Sequence, residues 1–151
     1  MNSIKQPNFI IFGKNSIDEF NFPTNCLVIT SKGAKSRGWL DRFNSKNYYV
    51  FDKVESNPSI EIIDEIISNF RDSNFSHIIG LGGGSSLDVA KFVAFKLKKF
   101  KILIPTTFGS GSEVTRISVL KVNGKKQSFH DDMLFADVAI IDPQFLENSS
   151  Q

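Results

Sequence analysis

Residues 80–91 read GLGGGSSLDVAK. The apolar run His77 to Leu81 that leads into them reads as a strand. Beyond them, Leu87, Ala90, Val93, Ala94 and Leu97 recur at helical spacing and predict a helix over Leu87–Lys98. Three consecutive glycines therefore lie between a strand and a helix. Without a Cβ the backbone there can approach a phosphate closely, and the N–H groups and dipole of the helix start favour an anion. A tight turn without a ligand uses the same glycines, so they alone leave both readings open. No Gly-Lys-Ser/Thr follows, which excludes a Walker A loop. Gly80-Leu81-Gly82 fits the first half of the dinucleotide fingerprint, but Ser85 stands where its last glycine belongs. Ser85 and Asp88 also fit a helix start, Ser85 as cap and Asp88 in a capping-box position. That role leaves the Ser85 N–H available to a ligand.

The same alternation extends in both directions. Phe9 to Phe12, Cys26 to Thr30, Tyr48 to Phe51, Lys101 to Ile104 and Val138 to Ile141 read as short strands. Asn57-Pro58 is expected to open a helix, with Asn57 as N-cap, and Ile60, Ile63, Ile66, Ile67 and Phe70 mark its apolar side. Strands alternating with helices imply parallel pairing through crossovers. Asn123-Gly124 between Ile117–Val122 and Lys125–Phe129 is a hairpin signal. The expected fold is α/β, Rossmann-like: one domain, 1–151, with a mostly parallel sheet, helices on both faces and one β-hairpin.

Bulk properties narrow the function classes. The 151 residues are 40% apolar and 23% charged, ordinary for a globular domain. A formal charge of +2 argues against nucleic acid as partner. Lys96, Lys98, Lys99 and Lys101 read as the solvated end of a helix. The single cysteine, Cys26, excludes an intrachain disulfide and reads as a small buried hydrophobe. With neither a membrane-length apolar run nor a signal-like N-terminus, a soluble cytoplasmic protein with no membrane partner is expected.

A second informative stretch is IPTTFGSGSEVT, residues 104–115, rich in hydroxyls and following another strand. In a doubly wound sheet, ligands bind beyond the carboxyl ends of the strands. Two such loops after neighbouring strands suggest a site for a molecule with phosphates and hydroxyls. With GGGSSLDVAK at 82–91, PTTFGSGSEVT at 105–115, Asn57-Pro58, Lys126 in the hairpin and Asp142-Pro143 after the last strand, the chain resembles the N-terminal domain of the iron-containing (group III) alcohol dehydrogenases.

The resemblance implies an NAD or NADP site. Gly83, Gly84 and Ser85 would hold the pyrophosphate. Asn57, Thr106, Thr107, Ser110 and Thr115 would line the adenine and ribose side. Val119 and Lys126 would sit by the nicotinamide half, and Asp88, as a candidate catalytic residue, near its reacting end. Where many NAD-using members carry an aspartate, this chain has Ser31, followed by Lys32. A serine does not repel a 2′-phosphate, so NADP is expected to be accepted. Phe108 and Ser110 replace a small residue and a threonine of the family pattern.

The family's chemistry uses Fe²⁺ or Zn²⁺ as a Lewis acid on the alcohol oxygen. The resemblance places its ligands in a C-terminal helical domain, beyond Gln151, the last residue here. The histidines present, His77 and His130, do not supply them: His77 reads as a strand start, and the His130-Asp131-Asp132 run as a surface turn. No metal ligand is therefore assigned. The lineage function is NAD(P)-dependent alcohol oxidation or aldehyde reduction. Three expectations stay open: a truncated product, half of a split enzyme completed by a helical partner chain or homo-oligomer, or a non-catalytic dinucleotide-binding or interaction module.

Overall fold

The structure, a computed structural model, describes residues 6–43, 48–107 and 109–146. Its apolar runs become parallel strands: β1 (Phe9–Phe12), β2 (Cys26–Ile29), β3 (Tyr49–Phe51), β4 (His77–Gly82), β5 (Phe100–Pro105) and, after the hairpin strands β6 (Ile117–Val122) and β7 (Lys125–His130), β8 (Val138–Ile141). Six of these form one sheet in the order β1-β8-β5-β4-β2-β3, with every pairing parallel.

Strands covered on both faces need apolar side chains throughout, and that is why CLVI and HIIGLG carry so few polar groups. Successive residues then serve opposite cores. Leu27, Ile29, Ile78 and Leu103 pack with α3 (Glu61–Phe70) and α4 (Gly84–Leu97). Cys26, Val28, Ile79, Ile102 and Ile104 pack on the other face with Ile17, Ala34, Trp39, Phe43 and Phe145. Those five belong to α1 (Ser16–Glu19), α2 (Lys32–Ser36), the 3₁₀ turn Trp39–Phe43 and α5 (Pro143–Leu146). After β3, the chain crosses back over β2 and adds β4 and β5 on its other side. The order reverses between β2 and β4, so the crevice beyond their carboxyl ends is the topological switch point.

The large sheet is wholly parallel, and the expected hairpin, β6 and β7, forms its own antiparallel sheet. Three expectations need correction. Asn57 is not a helix cap. It has φ 53°, and α3 begins at Glu61 after Ile60. The segment between is held by β6 instead, since Lys121 N–H donates to the Pro58 carbonyl and Ile60 N–H to the Lys121 carbonyl, both at 2.9 Å. α4 starts at Gly84, a turn before the apolar periodicity begins. Lys101 is not solvated: it is 5% exposed on β5, with its ammonium 3.7 Å from Asp137.

The hairpin turn forms as its sequence requires, with Asn123 and Gly124 both at positive φ (53° and 80°). Cys26 is fully buried, and burial pushes its thiol up to about 11. Asp142 ends β8 and is buried. Its carboxylate accepts from Ile17 N–H at 3.2 Å and from Gln144 N–H at 3.0 Å, tying α1 and α5 to the sheet. Phe108 and residues 147–151 lie outside the described residues.

Candidate functional site

The glycine turn sits at the carboxyl end of β4, on the switch point. Gly80 faces α4: a Cβ there would stand 2.7 Å from Ala90 Cβ and 2.8 Å from Leu103 Cδ2, so its absence lets the helix close on the sheet. Gly82, at φ 145°, makes the turn itself. Gly83 occupies the N-cap position, and no side chain caps the helix. Ser85 is thus inside the first turn rather than at the cap. The unpaired N–H groups of that turn are the helix's anion-binding end.

The second loop folds over this turn. Thr106 is buried and donates its N–H to the Gly82 carbonyl at 2.9 Å. A Cβ on Gly83 would come within 3.3 Å of Thr107 Oγ1, and one on Gly84 within 2.8 Å of the Ser110 side chain. The bare backbone of the turn is therefore matched to this loop as well as to any ligand.

Between the start of α4 and the hairpin lies a cleft of about 260 Å³. Asn57, Gly84, Ser85, Asp88, Val119 and Lys126, all candidates from sequence, line it together with Pro58, Leu120 and Lys121. Asn57, with φ 53°, lies on this cleft rather than at the start of α3. Beside it, Thr106, Thr107 and Ser110 pack around the glycine turn, which contains Gly83. Thr115 ends the 3₁₀ turn Ser112–Val114 and is tied to Lys91. Ser31 stands apart from the cleft at the end of β2. There it N-caps α2 by accepting from Ala34 N–H at 3.4 Å. A larger hollow of about 500 Å³ lies at the opposite end of the strands, beside Phe95, Phe100 and Met133, and none of the candidate residues lines it.

Asp88 forms no capping box. Its carboxylate is turned to the second loop and the hairpin, accepting from Ser112 Oγ–H at 2.6 Å and Val119 N–H at 3.2 Å. Ser118 Oγ–H donates to its main-chain carbonyl at 2.9 Å. Burial raises the Asp88 pKa, while Ser112, Lys91 and Val119 act against that rise. Sequence reasoning missed Lys91, the partner of Asp88 at 3.7 Å. Its side chain is wholly buried, and burial pushes it down to about 8. A signal was present: a lysine between Ala90 and Val93 on an apolar helix side, three residues after the aspartate.

The donor groups suit a dinucleotide and do not suit a metal. The helix start with its bare backbone, the overlying hydroxyl-rich loop with Thr106, Thr107 and Ser110, and the exposed Lys126 fit phosphates and ribose hydroxyls. Among the described residues no group of three or more His, Cys, Asp or Glu could hold a metal ion. Asp131 spends its carboxylate on Met133 N–H at 2.8 Å, Asp132 lies 3.8 Å from Arg116, and His77 stacks on Phe100. Among the described residues no helix is long and apolar enough to cross a membrane.

The chain is similar to a long-chain-alcohol dehydrogenase and to a 4-hydroxybutyrate dehydrogenase. The chain is 38% identical over 145 residues to long-chain-alcohol dehydrogenase 1 of Geobacillus thermodenitrificans, covering 78% of this chain and 37% of that one. It is 34% identical over 129 residues to a 4-hydroxybutyrate dehydrogenase of Clostridium kluyveri, covering 72% and 35%. The crystal structure of an iron-containing alcohol dehydrogenase from Thermotoga maritima superposes with a TM-score of 0.83 at 31% identity, covering 98% of this chain and 49% of that one. The chain thus spans less than half the length of these relatives. Residues 7–143 match the sequence profile of the iron-containing alcohol dehydrogenases, and the chain belongs to that family.

Proposed function

We propose that this chain is the nicotinamide-dinucleotide-binding half of an oxidoreductase that interconverts an alcohol and an aldehyde. One observation carries the reading: six candidate residues from three separate segments meet on a single cleft at the uncapped start of α4. The Gly83, Gly84 and Ser85 amides hold the pyrophosphate, supported by the helix dipole. Asn57, Thr106, Thr107, Ser110 and Thr115 face the adenine and ribose side, and Val119 and Lys126 the nicotinamide half. The dinucleotide, when bound, supplies the hydride acceptor or donor. Asp88 serves as a positioning residue, because its carboxylate is committed to Ser112 and Val119.

Ser31 at the end of β2 places no carboxylate against a 2′-phosphate, and Lys32 and Lys35 follow it in α2. NADP is therefore accepted along with NAD. Divalent-metal chemistry, Fe²⁺ or Zn²⁺ in the family, draws its ligands from outside the described residues, so turnover needs a helical partner or further chain. The relatives' names span long-chain alcohols and 4-hydroxybutyrate, so the reading stops at an alcohol group.

Fluorescence titration of the chain with NADPH and NADH tests the reading, with metal content and turnover measured on the same sample. Saturable binding of both is expected. No binding of either overturns the assignment, and a preference for NADH above about tenfold, or 1.4 kcal/mol, overturns the NADP part. Binding without metal or turnover would favour the non-catalytic module for the chain alone.

A further inference from the structure

We propose that Lys91 is a positioning residue for the dinucleotide: its ammonium clamps residues 109–117 to α4 and fixes Thr115 so that this hydroxyl meets the cofactor as a hydrogen-bond donor. The inference rests on the dinucleotide reading above. An ammonium has three protons and accepts nothing. Lys91 donates to the Ser112 carbonyl at 2.8 Å, to the Ile117 carbonyl, and to Thr115 through both its carbonyl and its Oγ1, each at 3.3 Å. Two carbonyls and one bifurcated contact account for every proton. Asp88, at 3.7 Å, balances the charge from the side.

Because Thr115 Oγ1 accepts from Lys91, its own proton points elsewhere and is left to donate. The acceptors are spread over the 3₁₀ turn Ser112–Val114, Thr115 and the first residue of β6, and a single group draws them together. Asp88 grips Ser112 and Val119 on the same helix. The two side chains lock the second loop and the hairpin, which carry Ser110, Thr115, Val119 and Lys126, to the helix that carries the glycine turn.

The charged groups acting on Lys91 are Asp88 on its own helix, Glu113 in the 3₁₀ turn and Lys101 on β5. Burial outweighs the carboxylates and lowers it to about 8. A neutral amine has two protons and a lone pair, which would confront one of the carbonyls. The clamp therefore loosens as pH rises through about 8, and NADH affinity falls with it.

The test uses the whole chain and Lys91→Met, which keeps an unbranched side chain one atom shorter and removes the donors. NADH dissociation constants are measured between about pH 7 and pH 9, and amide exchange of 109–117 without cofactor at about pH 7. The variant is expected to exchange faster there, to bind NADH about tenfold or more weakly, and to lose the pH dependence. Loss of that dependence in the variant also separates Lys91 from Lys101. A flat wild-type profile overturns the proposal even if the variant does not fold. Unchanged exchange in the variant overturns the clamp. Faster exchange with unchanged affinity overturns the positioning role. If the wild type binds neither NADH nor NADPH, the dinucleotide reading fails and the positioning role with it, while exchange still reports on the clamp.

Discussion

Gly84 and Ser110 contend for one space, which complicates the obvious test of the glycine turn. Valine at 84 would press on Ser110, 2.8 Å from the added Cβ, as well as on a phosphate. Gly84→Val is expected to weaken NADPH binding by about tenfold or more, at least 1.4 kcal/mol. Adding Ser110→Gly relieves the loop contact but not the phosphate contact. If the double variant regains wild-type affinity, the pyrophosphate is not at Gly84. The folded pKa of Lys91, about 8, lies below the ordinary 10.5, so between those values the unfolded chain holds a proton that the folded chain has released. The contribution of Lys91 to stability therefore rises with pH across that window and is lowest below it. Urea midpoints of wild type relative to Lys91→Met should climb from about pH 8 upward; a fall would contradict the burial of the ammonium. Cofactor affinity moves the other way in the same window, so weakened binding there is not global unfolding.

At the scale of elements, α4 meets the sheet through Gly80. Gly80→Ala brings a methyl to 2.7 Å from Ala90 Cβ and 2.8 Å from Leu103 Cδ2, all in the buried core. A loss of about 1–3 kcal/mol is expected from urea unfolding, and no loss would mean that helix and sheet pack less closely. Asp142 joins β8 to α1 and α5. Asp142→Ala strands the Ile17 and Gln144 N–H groups and should cost about 1–3 kcal/mol in the same measurement. Elements whose signal is local were legible in the sequence: CLVI and HIIGL as buried strands, and Asn123-Gly124 as the turn between β6 and β7. The start of α3 was not. Asn57-Pro58 has the letters of a helix opening, but a distant strand takes the backbone groups on either side of Ser59. The start of α4 was missed because its first residues, Gly84, Ser85 and Ser86, carry no apolar side chain.

For the whole molecule, the order β1-β8-β5-β4-β2-β3 brings segments distant in sequence to one edge. Asn57, Gly84, Ser85, Asp88, Val119 and Lys126 meet on one cleft, which no local pattern encodes, while Ser31 stands apart from it. The apolar surroundings of Lys91 and the nearby Asp88 were visible in the sequence, but its acceptors in Ser112, Thr115 and Ile117, 21 to 26 residues away, were not. The edge strand β1 also leaves Phe9 and Phe12 67% and 73% exposed. We propose that a dinucleotide lies across the start of α4, between the glycine turn and the hairpin. A ¹H–¹⁵N spectrum of the chain titrated with NADPH tests it most directly. Saturable shifts concentrated at Gly83, Gly84, Ser85, Thr107, Val119 and Lys126 are expected, whereas shifts centred on Phe95, Phe100 and Met133 at the opposite end of the strands, or none at saturating NADPH, would contradict it.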